Sequence, residues 1–159
     1  MAIRLDWRAW EARLGQQRRV LVVCTGNSCR SQMAEGWIRH LIGDEVEVFS
    51  AGTRPSSVHP LAVRVMAEAG VDISAHRSKP LSEFRDLPFD LVMTVCDSAR
   101  EACPVFPGAR RQSHESIPDP FDWRGEDDPI EPFRKVRDLI RERVVGAVRH
   151  ELGLLGPAG

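Results

Sequence analysis

The chain has 159 residues, of which 42% are hydrophobic and 28% charged, and its formal net charge is −1. Those proportions suit one globular domain with a single core. The near-neutral balance argues against nucleic acid or an anionic membrane as a partner, no apolar run approaches the length of a membrane span, and the N-terminus lacks the apolar stretch of a signal peptide.

Residues 1–18 form an N-terminal extension, read as helical, in which Asp6 caps a short helix with Trp7, Trp10 and Leu14 on one face. The main domain runs over 19–152 and leaves a tail over 153–159. It opens on a strand, Arg19 to Cys24, whose Val20–Val23 stretch is β-prone. A helical pattern follows from Ser31 to Ile42 and stops at Gly43. Val46–Ala51 reads as the second strand, Gly52–Ser57 as loop, and Pro60–Ala69 as a helix stopped by Gly70. Residues 71–79 are irregular, and Pro80–Leu87 reads as a brief helix. Phe89–Val95 is apolar on both faces, the mark of a central strand. Ser98–Ala102 is a short helical turn closed by Cys103-Pro104, and Arg111–Ser116 is a weak last strand. An acidic, proline-rich loop over Ile117–Pro129 leads into a long amphipathic helix, Glu131–Leu152, with Phe133, Val136, Ile140, Val144 and Val148 on one side. The alternation predicts an α/β domain: a single four-stranded parallel sheet with helices on both faces. Ligands of such sheets sit at the carboxyl ends of strands, and Cys24 and Cys96 both fall at such ends.

Between the first strand and the first helix lies Cys24-Thr25-Gly26-Asn27-Ser28-Cys29-Arg30-Ser31. A loop that enters a helix this way points backbone N–H groups, with the partial positive charge of the helix N-terminus, at whatever fills its centre. Gly26 and Asn27 tolerate unusual backbone angles. Arg30 is suited to hold a tetrahedral oxyanion through parallel hydrogen bonds. In that field Cys24 is stabilised as the thiolate, the nucleophilic form. Residues 25–31 are thus the expected oxyanion site and Cys24 the expected nucleophile. The alternative is a buried cysteine at a strand end before an ordinary turn.

Cys96 and Cys103 follow the third strand. If the six residues between them are helical, their Cα atoms lie about 10 Å apart, beyond the roughly 4.4–6.8 Å a disulfide needs. Bonding them requires the turn to unwind, which makes the pair a switch. Core packing, metal ligation and a static disulfide compete with that reading. The spacing is not that of a zinc site, and reduced thiols are the norm in the cytoplasm, where a chain with four cysteines and no secretory signal belongs. Pro118-Asp119-Pro120-Phe121-Asp122-Trp123 is a rigid acidic loop, with Asp128-Pro129 as a second Asp-Pro further on.

The run from Cys24 to Trp37 resembles the active-site loop of the low-molecular-weight protein tyrosine phosphatase superfamily, most of all its thioredoxin-coupled arsenate reductases, which also carry a Cys-x6-Cys pair. The resemblance covers about residues 19–150. It implies arsenic detoxification: arsenate (phosphate or sulfate as analogue) reduced to arsenite by Cys24, Cys96 and Cys103 acting as a disulfide relay, with Arg30 on the oxyanion, Asp119 as general acid, and thioredoxin as reductant. The plain phosphatase reading keeps Cys24, Arg30 and Asp119 and ignores the pair. A redox-sensing or anion-binding module without turnover is the third reading. Cys29 is expected in a secondary, protective role, and Phe121 and Trp123 as walls of the pocket. Some arsenate reductases bind potassium at the positions of Asn27, Glu35 and Ser50 with a fourth aspartate. Here that position is Lys79, whose ammonium is expected to take the cation's place beside Glu35, so neither metal nor cofactor is expected.

Overall fold

The computed structural model describes residues 17–102, 106–122 and 128–154. Four strands, β1 (Arg18–Cys24), β2 (Val46–Gly52), β3 (Leu91–Thr94) and β4 (Gln112–His114), form one sheet in the order β2-β1-β3-β4. Every pairing in it is parallel. Val20 to Val23 and Leu91 to Met93 are almost completely buried, as two central strands flanked by neighbours must be.

Among the described residues four α-helices accompany the strands: α1 (Arg30–Ile42), α2 (Pro60–Glu68), α3 (Asp97–Ala102) and α4 (Glu131–Leu152). α1, α2 and α4 pack on one another. The Trp37 indole, in α1, donates to the Arg137 carbonyl of α4 at 3.1 Å. Along β2, Ser50 points toward α1, where it donates to Glu35, while Phe49 points the other way into Phe84 and Phe89. Phe106 extends that aromatic cluster, so the second face is covered largely by rings carried on irregular chain.

Several boundaries differ from expectation: most shift by a residue, and the last strand shrinks from Arg111–Ser116 to Gln112–His114. The helix expected over Pro80–Leu87 is a single 3-10 turn, Leu81–Glu83. It sets Leu81 and Phe84 into the core, with Phe84 against Phe49 at a centroid distance of 5.6 Å. The third strand is shorter than Phe89–Val95, since Phe89 makes only an isolated bridge to Ala109. Arg18, placed in the extension from sequence, already pairs with Val46 in β1. Residues 1–16, with the expected N-terminal helix, lie outside the described residues, as do Cys103, Trp123 and most of the tail.

Candidate active site: an anion loop with a second thiol

The loop after β1 is shaped by its carbonyl groups. The Cys24 carbonyl accepts from Thr53 N, Thr25 from Arg54 N, Gly26 from Ser56 N and Ser78 Oγ, and Ser28 from His59 N, at 2.8–3.2 Å. The Asn27 carbonyl accepts from Gln32 Nε2 at 3.1 Å. In a trans peptide each C=O is antiparallel to the next N–H, and no described peptide is cis. Five consecutive carbonyls anchored outward therefore turn the N–H groups of residues 25–29 into the loop's interior. The segment 53–59 is the strap that does this, and nothing in its own composition announces the role.

Two backbone positions make the turn possible. Asn27 has φ +46°, the left-handed region that asparagine tolerates better than most residues. Gly26 was the other residue expected to do so, but its φ is not positive. Gly52 instead supplies the close approach, because a Cβ there would sit 2.6 Å from the Thr25 carbonyl and 2.9 Å from Asn27 N. α1 then begins at Arg30 with no side-chain cap on its first turn, leaving its amides and dipole open to an anion.

Asn27 is fully buried and fully bonded. Its Nδ2 donates to Ser31 Oγ (2.7 Å) and Ser50 Oγ (2.9 Å), and its Oδ1 accepts from Lys79 N and Gln32 Nε2. Ser31 Oγ lies 2.8 Å from Cys24 Sγ. Because that hydroxyl accepts from Asn27, its own proton has the sulfur as acceptor, an arrangement suited to a sulfur anion. Cys29, at the helix start, is the opposite case. Burial first, then the charges of Cys24 and Asp119, push its thiol up to about 11, against the lowering effect of the Ser28 hydroxyl and Arg30. It is protonated at neutral pH.

Arg30 NH1 donates to the Ile117 carbonyl at 3.0 Å, and NH2 lies 3.6 Å from Asp119 Oδ2. Both candidate acids accept from a backbone N–H two residues on, Asp119 from Phe121 N at 2.9 Å and Asp128 from Ile130 N at 3.0 Å. Asp119 is the one beside Arg30, whereas Asp128 stands at the head of α4. Phe121 is 62% exposed, ringed by His59 and Phe133 with centroids 5.3 and 5.4 Å away. Cys96 follows β3 on the same sheet edge as Cys24, and its sulfur lies 3.3 Å from Thr25 Oγ1, the residue next to the nucleophile.

Beneath the loop, Lys79 Nζ lies 3.5 Å from Glu35 Oε1, as the lysine substitution suggests. Ser50 Oγ donates to the same oxygen at 2.7 Å. Arg39 and His76 approach the second oxygen at 3.0 and 3.2 Å. Burial works to raise the Glu35 carboxyl, but His76, Lys79, Ser50 and Arg39 together hold it below its ordinary value. Burial is also the main reason the His76 imidazole sits below its own. Sequence reasoning missed Gln32, which bridges Asn27 to Arg77 O and receives His76 Nδ1 at 3.0 Å. The only signal was its place one helical residue past Ser31.

Known proteins are similar to this chain in sequence and fold. The sequence model of the low molecular weight phosphotyrosine protein phosphatase family matches residues 19–152. An arsenate reductase of Halalkalibacterium halodurans is 42% identical over 126 residues, which is 79% of this chain and 91% of that protein. A solved arsenate reductase in a phosphate-binding state superposes with a TM-score of 0.72 at 34% identity, covering 84% of this chain and 98% of the other. A thioredoxin-dependent arsenate reductase of Corynebacterium glutamicum superposes with a TM-score of 0.61 at 31% identity, over 88% of this chain and 66% of that one.

Proposed function

Since the chain belongs to the low molecular weight phosphotyrosine protein phosphatase family, we propose that it works as that family's arsenate reductases do, turning arsenate into arsenite with electrons from a dithiol. The observation that carries this reading is the Thr25–Cys96 contact, which brings a second thiol to the mouth of the anion loop. A phosphatase has no use for it.

Arsenate enters the ring of amides from residues 25–29 and meets Arg30. The Cys24 thiolate attacks arsenic, and the departing oxygen leaves as water with a proton from Asp119. The Cys96 thiolate then attacks the Cys24 sulfur. A sulfur–sulfur bond forms, the sulfur–arsenic bond breaks, and its electron pair stays on arsenic, which departs as arsenite. Cys103 attacks Cys96, releases the Cys24 thiolate and leaves a Cys96–Cys103 disulfide. A dithiol protein of the thioredoxin kind, as in the C. glutamicum relative, reduces that disulfide in a cytoplasmic setting. Residues 19–152 form the unit that does this.

A coupled assay following reductant consumption with arsenate tests the assignment. Turnover is expected from the native chain and abolished alike in Cys24→Ser, Cys96→Ser and Cys103→Ser. Full multiple turnover by Cys96→Ser overturns the relay. The Arg30–Asp119 approach at 3.6 Å favours a second activity, phosphomonoester hydrolysis, since it completes a phosphatase set with Cys24. Hydrolysis would survive Cys96→Ser and Cys103→Ser and vanish in Cys24→Ser.

A further inference from the structure

One imidazole spans the bend that carries Cys96. His114, the last residue of β4, has Nδ1 2.7 Å from Thr94 Oγ1 and Nε2 2.9 Å from Asp97 Oδ1. Thr94 lies two residues before Cys96 and Asp97 one residue after it. An ionised carboxylate only accepts, so Nε2 carries the proton toward Asp97, and in the neutral ring Nδ1 accepts from the Thr94 hydroxyl. The two ends differ in setting. Thr94 is 4% exposed, whereas the Asp97 side chain is 74% exposed and opens α3.

Among the described residues, the backbone around this bend is hydrogen-bonded on its sheet side, and Ala99 of α3 is buried in the core. Val95 N donates to the Val23 carbonyl, Glu115 N to Thr94 O and Ile117 N to Val95 O. These bonds tie the chain to the sheet as far as Val95. His114 continues the hold across Cys96 and into the first turn of α3. The Cys96 sulfur can stay under the Thr25 hydroxyl only if the bend between Thr94 and Asp97 keeps its shape.

We infer that His114 is a positioning residue for the relay thiol, holding the Thr94–Asp97 bend so that the Cys96 sulfur stays beside Thr25 and in reach of Cys24. It acts through Thr94 and Asp97, the residues it bonds. The water-exposed bond to Asp97 is the one that yields when Cys96 changes partner and α3 must rearrange. The inference rests on the relay reading, and two readouts keep the two separable.

The first readout needs no arsenate. In the reduced full-length protein, iodoacetamide labelling resolved by mass spectrometry gives a rate for each cysteine. His114→Phe is expected to speed labelling of Cys96 about tenfold, the equivalent of one released hydrogen bond, with Cys24 and the buried Cys29 within twofold of native. Asp97→Ala alters an exposed residue and leaves the fold intact. It should shift Cys96 the same way by about threefold, with the double variant no worse than His114→Phe alone. The second readout is the rate of Cys24–Cys96 disulfide formation in one turnover with arsenate, expected to fall about tenfold in His114→Phe.

Unchanged Cys96 labelling in both variants overturns the inference. So does a parallel rise at Cys24 and Cys29, which would mean general loosening. If the native protein forms no Cys24–Cys96 disulfide with arsenate, the relay falls, and labelling alone decides the role of His114.

Discussion

Ser31→Ala isolates what one hydroxyl contributes to the Cys24 sulfur. The oxygen lies 2.8 Å from that sulfur. Asn27 Nδ2 keeps its other acceptor, Ser50 Oγ at 2.9 Å, so the loop retains its internal tie after the substitution. What disappears is a hydrogen bond to an ionised acceptor, worth about 1.5–3 kcal/mol. At roughly 1.4 kcal/mol per factor of ten, attack by Cys24 should slow about 10- to 150-fold. The assay pairs Cys24 labelling by iodoacetamide at neutral pH with arsenite release in a single turnover, and a urea midpoint checks that the fold is intact. If both rates stay within twofold of native in a well-folded variant, the hydroxyl does not serve the sulfur and the donor assignment through Asn27 is wrong.

Asp119→Asn should lower kcat by about 10²–10⁴, whereas Asp128→Asn should stay within about threefold because an amide oxygen can still accept from Ile130 N; equal losses would refute the choice of acid. Glu35→Gln leaves the Lys79 ammonium without a counter-charge, bonded to the Arg77 carbonyl, and should reduce stability by about 3 kcal/mol at pH 7. Because the folded carboxylate is held below its ordinary 4.5, its contribution is complete above that value and lost as pH falls through the depressed folded value. His76, also depressed, starts to weaken the fold below its ordinary 6.5 in the same direction. Glu35 also holds His76 up, so removing it lets His76 fall further; urea unfolding should therefore show the penalty for Glu35→Gln growing as pH falls from 7 to 5, and a penalty that shrinks over that range would contradict the scheme. Gly52→Ala drives a methyl into the Thr25 carbonyl and should cost about 1–3 kcal/mol while weakening inorganic phosphate binding at least tenfold by calorimetry; unchanged affinity would show that the loop does not depend on this approach.

Much of the site could be read from the chain because its parts are close in sequence. Cys24 through Ser31 are consecutive, and strand-loop-helix geometry follows from four β-prone residues running into a helical pattern. Cys96 was legible through sheet topology, since neighbouring parallel strands end on one edge. The Lys79–Glu35 pairing was legible as a departure from a resembling family. The rest depends on contacts that sequence spacing does not encode. The strap over 53–59 has no motif, because it acts through backbone N–H groups that every residue but proline owns. Gln32 and His76 meet across 44 positions, and His114 meets Asp97 across 17. The 3-10 turn at Leu81 was misread as a longer helix because its local pattern fits one, while the demand that Phe84 reach Phe49 comes from the sheet.

The outward-anchored carbonyls carry a consequence for selectivity. A ring of amides held rigidly from behind responds to the size, charge and shape of its guest, and arsenate and phosphate differ little in any of these. Phosphate should therefore compete for this cavity, and binding alone cannot tell the two apart. Discrimination falls to the second sulfur: pentavalent arsenic can take up an electron pair when a thiol strikes its sulfur partner, and pentavalent phosphorus cannot. Under the proposed relay, the position of Cys96 beside Thr25 would be what separates arsenate from phosphate.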